Sequence, residues 1–179
     1  MEWTTELRYK RYEDWTEEEK KQIKEKMAKS PWHTHYHVEP TSGLLNDPNG
    51  FSYFDGKWIL FYQNFPFGAA HGLKSWVQLE SDDLVHFNET GVKVLPDTPL
   101  DSHGAYSGSA MQFDDKLFLF YTGNVRDEEW VRHPYQVGAL MDKEGKIEKI
   151  NKILIDQPAD STDHFRDPQI FNFKGQYYA

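Results

Sequence analysis

The chain has 179 residues, and its 38% hydrophobic and 27% charged content is typical of a globular domain with its own core. Its formal net charge of -9 disfavours nucleic acid or an anionic membrane surface as a partner, because either would repel the chain at long range. Cysteine is absent, which excludes disulfides, thiolate chemistry and cysteine-based metal sites.

The N-terminal segment predicts one surface helix. Thr16 and Glu19 have the spacing of a capping box, and the helix-forming stretch runs to Lys29, just before Pro31. We therefore expect residues 1–31 to form an extension that contains a helix. The first fifteen residues are too charged for a secretory signal, and no run reaches the ~20 apolar residues of a membrane span. These features favour a cytoplasmic location.

Residues 32–179 contain short aromatic and β-branched runs separated by turn residues, which predict strands and hairpins. The pattern repeats about every sixty residues, most clearly at three turns. The turns are Asp55-Gly56-Lys57, Asp114-Asp115-Lys116 and Lys174-Gly175-Gln176, and the segments Trp76-Val77-Gln78 and Gln136-Val137-Gly138 keep the same step. A repeated unit of strand, turn, strand, loop and strand is typical of the blades of a β-propeller.

Three polar residues, Asp47, Ser107 and Asp167, are also separated by 60 and 60 positions, so each has the same place in its unit. The first strand of each propeller blade lines the central channel, so these residues are predicted to converge there. A simpler interpretation is that the Asp-Pro pairs at 47 and 167 only begin turns. Their phase with an independent repeat favours a site. The 16% aromatic content fits either a β-rich core or rings that stack on sugars.

Four sequence blocks carry a resemblance to a known family. They are Gly43-Leu44-Leu45-Asn46-Asp47-Pro48-Asn49-Gly50, Phe61-Tyr62-Gln63 with Asn64-Phe65-Pro66-Phe67-Gly68, Tyr106-Ser107-Gly108-Ser109-Ala110, and His164-Phe165-Arg166-Asp167-Pro168. In this order and spacing the chain resembles the β-fructofuranosidases of glycoside hydrolase family 32, from about Trp32 to its last residue. The resemblance implies an all-β fold, namely the first two to three blades of a five-bladed β-propeller preceded by one N-terminal helix.

The resemblance also implies hydrolysis of a fructosyl bond, with sucrose 6-phosphate or sucrose as the small-molecule substrate and without a cofactor or a metal. A retaining enzyme of this kind needs one carboxylate to attack and one carboxylic acid to protonate the leaving oxygen. By resemblance, Asp47 is the nucleophile and Asp167 the stabiliser of the transition state. The implied substrate-binding residues are Leu44, Leu45, Asn46, Gln63, Trp76, Tyr106, Ser107 and Arg166. Because Arg166 adjoins Asp167, we expect a lowered pKa for that carboxyl.

Two departures from the family pattern bear on activity. Trp76-Val77-Gln78 stands where the family has Trp-Gly-His, which leaves Trp76 as an expected wall of the sugar site. The family's acid/base Glu belongs to a Glu-Cys block, and this chain has no Cys. We therefore expect a piece that lacks the remaining blades and the C-terminal β-sandwich, is inactive alone, and self-associates through open sheet edges. The alternative is a non-catalytic fructoside-binding module.

Two further groups of residues have weaker interpretations. His33, His35 and His37 alternate and could form a metal cluster on a strand, but entry into the first strand explains them better. Four cations are candidates for holding a substrate phosphate, although each is individually better explained as a surface charge. They are Lys74, Arg126, Arg132 and His133.

Overall fold

The computed structural model describes residues Glu2–Ala179, and its N-terminal part is helical. Helix α1 spans Thr5–Arg8, a single 3₁₀ turn spans Tyr12–Asp14, and helix α2 spans Glu17–Ala28. The expected helix and its capping box are present, since the Thr16 hydroxyl accepts from the Glu19 amide and the Glu19 carboxylate accepts from the Thr16 amide. The short helix α1 and the 3₁₀ turn have no counterpart in the sequence prediction. Among residues Glu2–Ala179, no helix has the length and apolar character needed to span a bilayer.

The rest of the chain forms two four-stranded antiparallel sheets and one two-stranded sheet, with strands adjacent in chain order. The first sheet contains β1 (Leu44–Phe54), β2 (Lys57–Phe65), β3 (Ser75–Ser81) and β4 (Asn88–Val94). The second contains β5 (Ala105–Phe113), β6 (Lys116–Arg126), β7 (Arg132–Met141) and β8 (Ile147–Ile155), and the third contains β9 (Phe171–Phe173) and β10 (Gln176–Tyr178). This architecture confirms the predicted all-β fold of repeated propeller-like units.

Each sheet begins with a hairpin at the predicted turn. The loops contain two residues, because Phe54 pairs with Lys57, Phe113 with Lys116 and Phe173 with Gln176. The first loop residue has a positive φ in all three hairpins, as tight hairpin turns that match the strand twist require.

Each complete sheet has a fourth strand that the sequence prediction lacks. Strands β4 and β8 lie at the outer edges, and most of their residues are only partly buried or exposed. Their sequences therefore show neither a continuous apolar run nor a strict alternation, which are the signals that identify strands.

The main core lies between the two complete sheets. The first sheet contributes Phe54, Ile59, Phe61, Trp76 and Val94, and the second contributes Ala105, Leu117, Leu119, Tyr121, Val137, Ala139 and Met141. Apolar faces of neighbouring blades thus bury one another, which fixes the position of β1 relative to β5.

Polar contacts between successive units follow the same sixty-residue step. The Asn49 side chain accepts from the Gly108 amide at 3.0 Å. One unit later, the Ser109 hydroxyl donates to the Pro168 carbonyl at 2.9 Å and accepts from the Ile170 amide at 3.0 Å. Since Ser109 lies 60 positions after Asn49, and Pro168 lies 60 after Gly108, equivalent positions join each pair of neighbouring units.

The N-terminal segment packs against the end of the first sheet. Trp15 stacks on Phe67 with ring centroids 4.3 Å apart, and Trp3 meets Phe65 edge to face. The Tyr12 hydroxyl is 3.0 Å from both the Leu73 carbonyl and the Ser75 hydroxyl, so it adds polar contacts to this packing. These contacts hold helix α1 beside the loop that precedes β3.

Candidate active site

A cavity of about 380 Å³ lies where the first strands of the units meet. Its wall combines residues from both complete sheets, the loop before β3, the segment before β9 and the end of helix α1. The lining residues are Arg8, Tyr9, Asn46, Asp47, Gln63, His71, Gly72, Lys74, Tyr106, Ser107, Arg126, Arg132, Arg166 and Asp167. Asp47, Ser107 and Asp167 therefore share one cavity, as their spacing predicts.

Asp47 is held by a hydrogen-bonded chain that crosses from one sheet to the next. The Ser107 hydroxyl on β5 donates to the Asp47 carboxylate on β1 at 2.6 Å, a length typical of a charge-assisted bond. The Gln63 amide on β2 donates to the same hydroxyl at 2.9 Å. Ser107 and Gln63 are buried, whereas Asp47 is exposed to the cavity. The hydrogen bond from Ser107 thus orients the Asp47 carboxylate, which remains accessible from the cavity.

The backbone of Asp167 is fixed by a buried network of side chains. Its amide donates to the Thr122 hydroxyl at 2.9 Å, and that hydroxyl donates to the Gln136 side-chain oxygen at 2.6 Å. The Gln136 amide in turn donates to the Phe165 carbonyl at 2.9 Å. Asp167 has a φ of 62° and precedes Pro168, a combination that is strained for a residue other than glycine. The network therefore holds the segment in a conformation that it would not adopt alone.

The electrostatics of Asp167 differ from the expectation. Partial burial raises the pKa of the Asp167 carboxyl above its usual value, and the nearby Asp47 acts in the same direction. The Arg166 guanidinium lowers the pKa, with its Nε 3.3 Å from the carboxylate, but does not compensate for the loss of hydration. The predicted lowering is wrong, because the prediction counted the neighbouring charge and omitted desolvation.

Asn46 and Tyr106 both line the cavity. The Asn46 side-chain oxygen is buried and has no hydrogen-bond partner within residues 2–179, so it is available to accept from a hydroxyl. Burial raises the pKa of the Tyr106 phenol, and the Arg132 guanidinium lies over its ring at 5.9 Å.

Three of the expected substrate-binding residues do not line the cavity. The Trp76 side chain is fully buried between the sheets, where its indole donates to the Tyr106 carbonyl at 3.0 Å. The expectation that its ring walls the sugar site is wrong for this conformation, since no face of the ring is free. Leu45 packs on the outer cluster around Tyr62, and the Leu44 carbonyl accepts from Asn64.

Lys74 and His71 form a polar pair on the cavity wall, with their side-chain nitrogens 3.1 Å apart. Burial lowers the pKa of the Lys74 ammonium to about 8, although the Asp47 carboxylate opposes the change. The charge of Lys74 and burial lower the pKa of the His71 imidazole. A buried cation with a perturbed pKa beside a carboxylate is typical of a functional site.

Sequence reasoning missed the contribution of the N-terminal segment. Arg8 and Tyr9 line the cavity, but no repeat or motif signalled them, because the segment occurs once. Of the four cations proposed for phosphate, Lys74, Arg126 and Arg132 line the cavity. His133 does not, and its ring bonds to Asp127 at 2.8 Å.

The alternating histidines do not lie on a strand. His33 contacts Glu39 at 2.7 Å, and His35 and His37 are exposed in an irregular segment before β1. Over the described range, Glu2–Ala179, no three histidine, aspartate or glutamate side chains come together in an arrangement that could hold a metal ion.

Comparisons with known proteins agree on one family. Residues 37–179 match the N-terminal domain of the glycosyl hydrolases family 32. A sucrose-6-phosphate hydrolase from Streptococcus mutans is 71% identical over 173 residues, which cover 97% of this chain and 36% of that protein. The chain thus spans about a third of the length of this relative.

Solved structures give the same result for the fold. The structure of a sucrose-6-phosphate hydrolase from Lactobacillus gasseri has a TM-score of 0.96 and 51% identity, over 98% of this chain and 36% of that one. A β-fructofuranosidase mutant from Bombyx mori, solved in complex with sucrose, has a TM-score of 0.73 and 30% identity, over 91% of this chain and 36% of that one.

Proposed function

Because the chain belongs to glycosyl hydrolase family 32, we propose that it forms the fructosyl-binding part of an active site that hydrolyses sucrose 6-phosphate with retention of configuration. The observation that carries this proposal is the hydrogen-bonded chain from Gln63 through Ser107 to Asp47, which faces a cavity shared with Asp167. The names of the most similar relatives support the phosphorylated substrate.

Asp47 is the proposed nucleophile. One of its oxygens is held by Ser107, which leaves the other oxygen free to bond the anomeric carbon of the fructosyl unit as the glycosidic bond breaks. Water then cleaves the covalent intermediate and restores the carboxylate. The bond from Ser107 restricts the rotation of the side chain, so that the attacking oxygen is positioned before the substrate arrives.

Asp167 and Asn46 are proposed to hold fructosyl hydroxyls. A carboxylate accepts hydrogen bonds from two adjacent hydroxyls, and its charge stabilises the oxocarbenium-like transition state. The unpartnered oxygen of Asn46 supplies a further acceptor at the same cavity. Because the pKa of Asp167 is raised, its carboxylate becomes protonated at a higher pH than that of an ordinary aspartate when the solution is acidified.

The carboxylates of the cavity bear on the proton that the leaving oxygen needs. Its lining contains two carboxylates, Asp47 and Asp167, and no glutamate. Both have roles that require the ionised form, so neither is free to protonate the leaving oxygen. We therefore expect the 179 residues to bind fructosides without measurable hydrolysis. The same observation favours the second candidate, a non-catalytic fructoside-binding module.

The proposed substrate fits the charge of the cavity. Four arginines and Lys74 line it against two carboxylates, although the whole chain carries a net charge of -9. A local excess of cations favours a phosphate ester over neutral sucrose. A dianionic substrate does not cross an apolar bilayer unaided, so it also favours the cytoplasmic location that the sequence predicts.

Calorimetric titration with fructose and with sucrose 6-phosphate, beside an assay for released fructose, tests the proposal. We expect both ligands to bind, and Ser107→Ala to weaken both, because it frees Asp47 and leaves the Gln63 amide without its acceptor. Absence of fructose binding would contradict the site. Turnover above a matched Asp47→Asn variant would contradict the missing acid, and binding without turnover fits both candidates.

A further inference from the structure

The arginines of this chain are concentrated at one cavity. The sequence contains five arginines and fifteen lysines, which together make its 20 basic residues. Four of the arginines line the cavity around Asp47, and only one lysine does. A general need for positive charge would favour neither type. The planar guanidinium, with its fork of N–H donors, is the side chain that matches phosphate oxygens in pairs.

Arg166 and the other three arginines have different surroundings. The Arg166 guanidinium contacts the Asp167 carboxylate at 3.3 Å, so it belongs to the fructosyl side of the cavity. The Nε atoms of Arg8, Arg126 and Arg132 are buried and have no hydrogen-bond partner among residues 2–179.

The donors of these three arginines are mostly uncommitted. Arg126 donates to one carbonyl, that of Trp130, at 2.8 Å. Arg132 makes one long contact of 3.5 Å with Asp163. A guanidinium that is partly removed from water and lacks acceptors is costly unless an anion supplies them.

Aromatic rings hold the guanidinium groups in place. The Arg8 group lies 6.0 Å from the centre of the Tyr9 ring, and the Arg126 group lies 5.6 Å from that of Trp130. The Tyr9 and Trp130 rings meet edge to face at 5.1 Å, which joins the two arginines through one aromatic cluster. Such packing restricts the rotamers of long side chains before a ligand binds.

The backbone also fixes Arg8. Its carbonyl accepts from the Leu73 amide at 2.7 Å, in the loop that leads to β3. The approach is close, since a Cβ atom on Gly72 would lie 2.5 Å from the same carbonyl oxygen. Helix α1 is thereby held against the loop before β3, which places Arg8 in the cavity wall.

From this geometry we propose that Arg8, Arg126 and Arg132 form a phosphate-binding subsite of the cavity, which holds the 6-phosphate of the substrate. The subsite gives the N-terminal segment a role in specificity, because Arg8 and the ring of Tyr9 come from it. The inference rests on the proposed function for the identity of the sugar. Whatever the sugar, a phosphate monoester binds these three guanidinium groups.

Calorimetry with three ligands tests the subsite. Glucose 6-phosphate reports on the phosphorylated glucosyl half of the substrate, fructose on the fructosyl pocket alone, and sucrose 6-phosphate on both. We expect Arg8→Gln and Arg126→Gln each to weaken both phosphorylated ligands about tenfold or more, as expected for loss of hydrogen bonds to a charged group. Fructose affinity should stay within about twofold. Arg8→Lys, which keeps the charge and loses the fork, should restore only part of the phosphate affinity.

Lys21→Gln is the matched control, because it removes one positive charge from the exposed surface of α2. The subsite is wrong if Arg8→Gln weakens phosphate binding no more than Lys21→Gln does. It is also wrong if the arginine variants weaken fructose to the same extent, since that indicates a general structural effect. Failure of the proposed function has a different signature, in which fructose does not bind and Ser107→Ala leaves sucrose 6-phosphate binding unchanged.

Discussion

The hydroxyl of Thr122 provides a sharp test of how the fold positions the candidate site. It accepts from the Asp167 amide at 2.9 Å and donates to Gln136 at 2.6 Å, and Thr122 is fully buried. Thr122→Val keeps the shape of the side chain and removes both bonds. The strained backbone at Asp167, with its φ of 62°, then has no polar contact from Thr122 to hold it.

The size of the effect follows from these bonds. Thr122→Val leaves two groups unpaired, the Asp167 amide and the Gln136 side-chain oxygen, at a cost of about 1–3 kcal/mol each, and relaxation of the strained backbone recovers about 1–3 kcal/mol. We therefore expect the segment around Asp167 to relax. The free energy of unfolding should fall by about 1–3 kcal/mol, and fructose affinity should fall about tenfold or more as the carboxylate leaves the hydroxyls.

Thr122→Ser separates stability from positioning. It keeps the hydroxyl and removes a buried methyl group, so it should cost about 1 kcal/mol of stability while fructose affinity stays near that of the unchanged chain. Urea denaturation and fructose calorimetry on both variants make the comparison. If Thr122→Val binds fructose as tightly as Thr122→Ser, the hydrogen bonds of Thr122 do not position Asp167.

Three other predictions concern charge, catalysis and association. The Lys74 ammonium keeps its proton up to about pH 10.5 in the unfolded chain and releases it near pH 8 in the folded chain, so the free energy of unfolding should rise between these pH values. Lys74→Met should abolish this rise. An equal rise with pH in both chains, measured by urea denaturation, would contradict this. No fructose should be released from sucrose 6-phosphate above the Asp47→Asn background in a coupled assay. The aromatic hairpin β9–β10 is exposed, so Phe173→Glu should reduce self-association in sedimentation velocity, and a monomeric unchanged chain would exclude that association.

The repeat made the convergence of Asp47, Ser107 and Asp167 predictable. A period in the sequence fixes equivalent places in successive units, and equivalent first strands face one channel. The hydrogen bond between Ser107 and Asp47 is a direct result of that geometry. Hairpin turns were predictable for a similar reason, since glycine and aspartate tolerate the positive φ that two-residue loops need.

Other features depend on packing that no local pattern encodes. Trp76 has an aromatic ring of the kind that stacks on sugars, but its ring is completely buried between the two sheets. Arg8 reaches the cavity through a long-range contact with Leu73, and a segment that occurs once offers no period from which to infer it. The pKa of Asp167 likewise depends on burial, which is a property of the assembled units.

A crystal structure of the Asp47→Asn variant with sucrose 6-phosphate tests directly whether this cavity binds the fructosyl unit. We expect the fructosyl ring in the cavity, with its anomeric carbon beside the side chain at position 47 and its hydroxyls on Asn46 and Asp167. A sugar bound elsewhere, or a cavity that remains without sugar at saturating ligand, would contradict the assignment of this cavity as a fructosyl site.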